Sequence, residues 1–180
     1  MQPPAPPKRS IGRVEKTGAS IGDQEAFKRA FDAHYDRLFR LALVLAGDPY
    51  EAEDIVQEVF MRSGERLASL TDDEIAPYLR TAVVNEWRSR MRRLRTRMRR
   101  LPLARVPDSQ APDMEASNEL WTYVLALPTR QRATVVLRYY EDLSERATAE
   151  ILGCSVGTVK SQLSRAIEHL RRRYADEDRG

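Results

Sequence analysis

The sequence predicts an all-α protein of two small helical domains joined by a flexible linker, the second domain containing a helix-turn-helix. Three observations carry this. Apolar residues recur at three- and four-residue steps through residues 23–100 and again beyond residue 116, the period of helices that bury one face. Between the two stretches, LPLARVPDSQAPDMEA carries three prolines among polar residues, a composition that breaks helices and suits a spacer. Finally, Ser144 to Tyr174 has the spacing of two helices joined by a tight turn. A length of 180 residues accommodates one domain or two small ones.

Taken in order, residues 1–22 are rich in Pro, Gly and Ser with scattered charges, which predicts a disordered tail. From Asp23, the residues Phe27, Phe31, Tyr35, Leu38, Leu41, Ala42 and Leu45 mark one face of a helix that Gly47 ends. Asp48, Pro49 and Glu51 then read as N-cap, first and third residues of a second helix, with Ala52, Ile55, Val56, Val59 and Phe60 as its buried stripe. A turn-rich interval around Thr71 to Asp73 leads to a third helix over roughly 75–100. Pro77 lies near its start, and Leu79, Ala82, Val83, Trp87 and Met91 form its apolar side. The linker occupies 101–115. The second domain, 116–174, opens with Leu120, Val124, Leu125 and Leu127, restarts after Pro128, and runs through Val135, Val136, Leu137 and Tyr140 into the helix-turn-helix; 175–180 form a short tail.

Within the helix-turn-helix, Ser144 caps a helix whose apolar positions are Ala147, Ile151 and Leu152, and Gly153 supplies the positive φ that stops it. Ser155 caps the next helix, where Val159, Leu163, Ala166, Ile167 and Leu170 form a core-facing stripe. The opposite face carries Gly157, Ser161 and Ser164, flanked by Lys160, Gln162 and Arg165. Small residues allow close approach to a groove, Lys and Arg neutralise phosphates or donate to guanine, and Gln pairs with adenine. An ordinary amphipathic helix with a solvated polar face would share the pattern.

The net charge of +3 averages over segregated blocks. Leu41 to Met61 contains no Lys or Arg but holds Asp48, Glu51, Glu53, Asp54 and Glu58, and Glu51, Asp54 and Glu58 share one helix face. A solvated face, a carboxylate-bridged metal site or a docking surface for a basic protein would each use such a cluster. The Glu-x-x-His partners of bundle metal sites are absent, and the chain has only His34 and His169. Arg88 to Arg105 carries nine arginines and no acid. Like charges at helical spacing repel unless something anionic lies against them, so a polyanion is expected there, nucleic acid ahead of an anionic membrane.

Several classes are disfavoured. The N-terminus lacks the apolar stretch of a secretory signal, and no apolar run is long enough to cross a bilayer, so a soluble chain is expected. The single Cys154 cannot form an internal disulfide. There is no glycine-rich phosphate loop, no evident Cys-His pair and no metal-ligand spacing, so neither catalysis, cofactor nor metal is expected.

Together, AEDIVQEVFMR (Ala52–Arg62), YLRTAVVNEWRSRMRR (Tyr78–Arg93) and LPTRQRATVVLRYYEDLSERATAEILGCSVGTVKSQLSRA (Leu127–Ala166) resemble an extracytoplasmic-function sigma factor of bacterial RNA polymerase, with similarity to actinobacterial members. The resemblance implies that residues 23–100 form the region-two domain and 116–174 the region-four domain. It implies that Asp54, Gln57 and Glu58 dock on the clamp helices of core polymerase. It further implies that Arg80, Asn85, Arg88, Arg92 and Arg93 handle the minus-ten promoter element, and that Ser155, Thr158, Lys160, Ser161, Ser164 and Arg165 read the minus-thirty-five element. The expected partners are core RNA polymerase, promoter DNA and, in many members, an anti-sigma factor. A small-molecule substrate and membrane insertion are not expected, and the implied location is cytoplasmic, at the nucleoid. Two positions depart from the family pattern. Thr148 replaces a usual isoleucine at a core position, where its hydroxyl must find a partner or stay wet; Gln162 replaces a common arginine. The rival reading is a stand-alone helix-turn-helix transcriptional regulator, which would leave the acidic helix and the arginine helix unexplained.

Overall fold

The computed structural model describes residues 21–100 and 119–177, and every regular element among them is helical. Helix α1 spans Ile21–Ala46, α2 Pro49–Leu67 and α3 Asp72–Arg100. After residues 101–118, α4 spans Glu119–Leu125 and α5 Thr129–Val135, which continues as a π-helical turn, Val136–Tyr140; α6 spans Glu145–Leu152 and α7 Val156–Glu177.

Local chemistry sets the first three helices. Gly47 takes φ +79° and returns its N–H to the Leu43 carbonyl at 2.7 Å, ending α1. The Asp48 carboxylate accepts from the Glu51 N–H at 2.8 Å, capping α2 with Pro49 in its first turn. Helix α3 begins three residues earlier than expected, because Glu74 caps its start: the Glu74 carboxylate accepts from both the Thr71 N–H and its hydroxyl at 3.0 Å. Those two bonds hold the Glu74 carboxyl below its usual range. The three helices bury Leu41, Leu45, Ile55, Val56, Phe60, Leu79, Val83 and Val84. Phe27 and Phe31 close one end over Phe60, with ring centroids 5.8 and 5.0 Å away.

In the second half, Leu127, Ala133, Val136, Leu137, Ala149, Val159, Leu163 and Ala166 make the core. The π-helical turn ends with Asp142 at φ +50°, and the Leu143 N–H reaches back to the Leu137 carbonyl at 3.0 Å. This geometry leaves Glu141 buried.

The two halves pack against each other, α3 on α6 and α1 on α5 and the π-helical turn. Arg132, buried at the contact, donates to the Leu45 carbonyl at 3.0 Å and to Ala46 at 3.5 Å, and on its own side to Leu125 at 2.8 Å. The carbonyls that α1 leaves unpaired at its C-terminus are therefore capped by a side chain 86 and 87 residues away in sequence. Burial pushes the Arg132 guanidinium below its ordinary value.

Thr148 is fully buried, and its hydroxyl has no hydrogen-bond partner among the described residues. The hydroxyl is thus neither paired with a described residue nor exposed to bulk solvent. Thr148→Val keeps the shape and removes the unpaired group, so it should stabilise the chain by about 1 kcal/mol, read as a rise in the denaturant midpoint at unchanged slope. A lowered midpoint would mean that the hydroxyl is satisfied in solution.

Candidate nucleic-acid and protein interfaces

Helix α2 turns its buried stripe, Ala52, Ile55, Val56, Val59 and Phe60, toward α1 and α3, which leaves Asp54 and Gln57 exposed and Glu58 half-buried on the other side. The acidic face is less bare than its sequence suggests. Glu58 pairs with Arg62 one turn on, and Asp54 lies 3.7 Å from Arg90 of α3. Gln57 donates to Glu53 at 3.1 Å. Half-burial, then the charges of Asp48 and Asp54, push the Glu51 carboxyl up against the opposing pull of Arg90. Two further residues belong to this face: Tyr50 and Met61 are largely exposed and continue the Asp54–Gln57 row at four-residue steps. Both were readable as large side chains off the buried stripe.

The arginine helix also has internal partners. Glu86 is buried and accepts from Arg62 at 3.1 Å and Arg90 at 3.0 Å, with Arg93 at 3.5 Å. Part of the anionic charge that these arginines call for is internal: Glu86, two residues before the basic block, and Asp54 on α2 neutralise some of the repulsion. Arg92 and Arg97 are exposed and form no ion pair among the described residues.

The five residues expected at the minus-ten element divide in two. Asn85 and Arg93 face outward, Asn85 accepting from Arg88 at 3.4 Å and Arg93 donating to the Ser89 hydroxyl at 3.1 Å. Arg80, Arg88 and Arg92 lie toward the second half. Arg80 donates to the Glu141 carboxylate at 3.1 Å and Arg88 to the Ile151 carbonyl at 2.7 Å. Arg92 lines a cavity of about 400 Å³ between α3 and the helix-turn-helix, together with Trp87, Arg88, Thr134, Thr158 and Gln162. Gln162 thus borders the first half instead of the outer face of α7.

The helix-turn-helix forms by the caps its sequence announces. The Ser144 hydroxyl accepts from the Ala147 N–H at 3.1 Å, Gly153 ends α6 at φ +60°, and the Ser155 hydroxyl accepts from the Thr158 N–H at 3.1 Å. The positive φ is what calls for glycine at 153; a Cβ there would also lie 2.5 Å from Nη2 of Arg88, and the end of that side chain would have to move aside. With Val159, Leu163 and Ala166 buried, α7 presents Gly157, Lys160, Ser161, Ser164 and Arg165 to solvent. Ser155 is exposed and Thr158 half-buried, their hydroxyls 2.9 Å apart, while Lys160 lies 3.7 Å from Glu145. An open row of small and cationic residues on a packed helix fits a nucleic-acid groove.

Among the described residues, no group of three or more His, Cys, Asp and Glu side chains is placed to hold a metal ion. No helix among them is long and apolar enough to cross a membrane.

Residues 30–97 match Sigma-70 region 2 and residues 117–170 match Sigma-70, region 4. The chain is 30% identical over 186 residues to the ECF RNA polymerase sigma factor SigW of Bacillus subtilis, covering 94% of this chain and 97% of that one. It is 34% identical over 163 residues to the RNA polymerase sigma-E factor of Streptomyces coelicolor, covering 88% and 91%. Its fold resembles the sigma factor RpoE of Bartonella quintana, solved in complex with the anti-sigma factor NepR, with a TM-score of 0.65 and 25% identity over 82% of this chain and 96% of that one. With both regions present in order, and relatives matched along nearly their whole length, the chain belongs to the extracytoplasmic-function sigma factors of bacterial RNA polymerase.

Proposed function

We propose that this chain is a promoter-specific transcription initiation factor that binds core RNA polymerase through α2, handles the minus-ten element through α3 and reads the minus-thirty-five element through α7. The observation that carries this reading is that one chain keeps a carboxylate-bearing face on α2 and an open recognition face on α7, on segments that match regions 2 and 4. A stand-alone regulator would use the second and have no need of the first. Asp54, Gln57 and Glu58 meet core polymerase. Arg80, Asn85, Arg88, Arg92 and Arg93 take the backbone and bases of opened minus-ten DNA. Ser155, Thr158, Lys160, Ser161, Ser164 and Arg165 contact the minus-thirty-five duplex.

Each role has a physical basis. Carboxylates on an exposed helix steer and register a basic partner. Arginines bind phosphate in a bidentate fork, and release of counterions makes the binding depend on salt. Arg165, on a helix whose opposite side is core, is placed to donate to a base edge or a phosphate. The chain acts without chemistry of its own, inside the cell beside the nucleoid, and an anti-sigma factor of the kind bound to RpoE is a natural regulator. Transcription by core polymerase supplemented with the purified chain, on a genomic library, tests the whole reading: selective start sites are expected, and none above core polymerase alone would refute it.

Three variants test the parts. Asp54→Lys with Glu58→Lys should weaken binding to core polymerase, measured by competition with another sigma factor. The melting temperature should hardly move, because Asp54 is exposed and Glu58 only half-buried. Asn85→Ala should leave polymerase binding intact and reduce promoter melting in permanganate footprints; normal footprints would remove Asn85 from that role. Arg165→Ala should cost about 1–3 kcal/mol in minus-thirty-five recognition if the contact is bidentate to a base. A randomised minus-thirty-five library transcribed with each form reads this out, and an unchanged base preference would assign Arg165 to the backbone instead.

A further inference from the structure

We infer that the cavity between α3 and the helix-turn-helix is a binding site for a small anion that carries a flat ring, of the chemical class of a nucleoside diphosphate. Three guanidinium groups line it, Arg88 and Arg92 from α3 and Arg130 from α5, and the lining holds no Asp or Glu. None of the three forms an ion pair among the described residues. Elsewhere on α3 the fold answers its arginines with Glu86 and Asp54; around this cavity it supplies no acid. Like charges that converge on one recess repel, and more strongly there than in bulk water, unless an anion lies between them.

Size and wall chemistry narrow the anion. The volume of about 400 Å³ falls in the range of small-molecule sites, about 300–1,000 Å³. Arg88 commits Nη1 to the Ile151 carbonyl at 2.7 Å and to Asn85 at 3.4 Å, which fixes the side chain and leaves its other donors for a ligand. Arg92 and Arg130 are exposed. Three guanidinium forks match two linked phosphates, the terminal one carrying about −2 at neutral pH. The rest of the wall asks for something else: Trp87 is nearly buried, Met91 and Leu152 are half-buried, and Gln162 contributes an amide. An indole and two flexible apolar side chains suit a flat ring, and an amide both donates to and accepts from the edge of one. Inorganic phosphate would use the arginines and leave this wall bare. A nucleic-acid strand would need a groove open at both ends, whereas the Arg88–Ile151 contact closes the end toward α6.

The site goes beyond promoter recognition and is separable from it. Arg88 and Arg92 also belong to the set proposed for the minus-ten element, but Arg130 belongs to none of the proposed contact surfaces, so a change there addresses the cavity alone. A ligand held by side chains of α3, α5 and α7 binds the folded chain and not the unfolded one, so it also raises the melting temperature in proportion to its occupancy.

The test uses the full chain carrying Trp121→Phe, which leaves Trp87 as its single tryptophan; Trp121 packs on Tyr140 and does not line the cavity. ADP is the probe, in magnesium-free buffer at near-physiological salt, with circular dichroism confirming native helix content in every variant. Saturable quenching of Trp87 with a Kd of about 100 μM or tighter is expected, together with a melting temperature that rises with ADP. Pyrophosphate and adenosine, each holding half of the chemistry, should bind at least about tenfold more weakly. Arg130→Glu should weaken ADP binding about tenfold or more and Arg130→Lys less. Arg97→Glu, exposed on α3 but outside the cavity, should change it by less than about twofold, because salt screens exposed charges. Absence of saturable binding overturns the site. Equal losses with Arg97→Glu and Arg130→Glu overturn it in favour of general attraction between a basic surface and an anion, and pyrophosphate binding as tightly as ADP overturns the ring-bearing class. A 20-nucleotide single-stranded DNA that binds through Arg130 while ADP does not bind gives the cavity to a strand instead.

Discussion

The arrangement of the two halves depends on one buried guanidinium. Among the described residues Arg132 pairs with no carboxylate; its two Nη groups donate to main-chain carbonyls, including those at the end of α1, while its Nε is buried without a partner. A buried cation is tolerable only when hydrogen-bonded, and helix carbonyls left without partners are tolerable only when capped. Each side of the contact thus resolves a problem the other would face alone. The negative end of the α1 dipole adds to the attraction. With Arg132 fixed, the π-helical turn that follows α5 lies against α1, which brings Glu141 under Arg37 and Arg80.

Charge is organised by the same economy elsewhere. Glu86 is buried at the centre of Arg62, Arg90 and Arg93, so part of a helix that would otherwise repel itself is held by an internal counterion. The consequence is a division of labour along α3. Arginines near Glu86 are oriented by the fold, whereas Arg92 and Arg97 form no ion pair among the described residues. Orientation of the first set lowers the entropy lost when a phosphate binds, since long side chains already constrained have less freedom to lose.

Much of the fold was legible because its signals are local. Asp48, Pro49, Gly47, Ser144, Gly153 and Ser155 act where spacing said they would, since a cap or a positive φ is decided within a few residues. Thr148 was legible as a problem, though not in its outcome. The contact between halves was not legible: the partners of Arg132 and Glu141 lie 61 to 104 residues away, and nothing periodic links a guanidinium to a distant carbonyl. The role of Glu86 was not legible, because one acid two positions before a run of arginines does not reveal that the fold buries it among three of their side chains. The candidate surfaces were legible from a family resemblance; that Arg80 and Arg88 are covered by the second half required the tertiary structure.

The π-helical turn at Val136–Tyr140 has a consequence for insertions and deletions in this lineage. A π turn accommodates about one residue more than a regular turn, and each residue of an α-helix rotates the chain by about 100°. Removing a single residue from this turn would leave the caps, the core stripe of α7 and the recognition row unaltered. It would nevertheless swing position 141 to a different side of the helix, away from Arg37 and Arg80. A chain one residue shorter here would keep its parts while losing the ion pairs of Glu141 with Arg37 and Arg80, a change of contact between the halves that composition would not reveal.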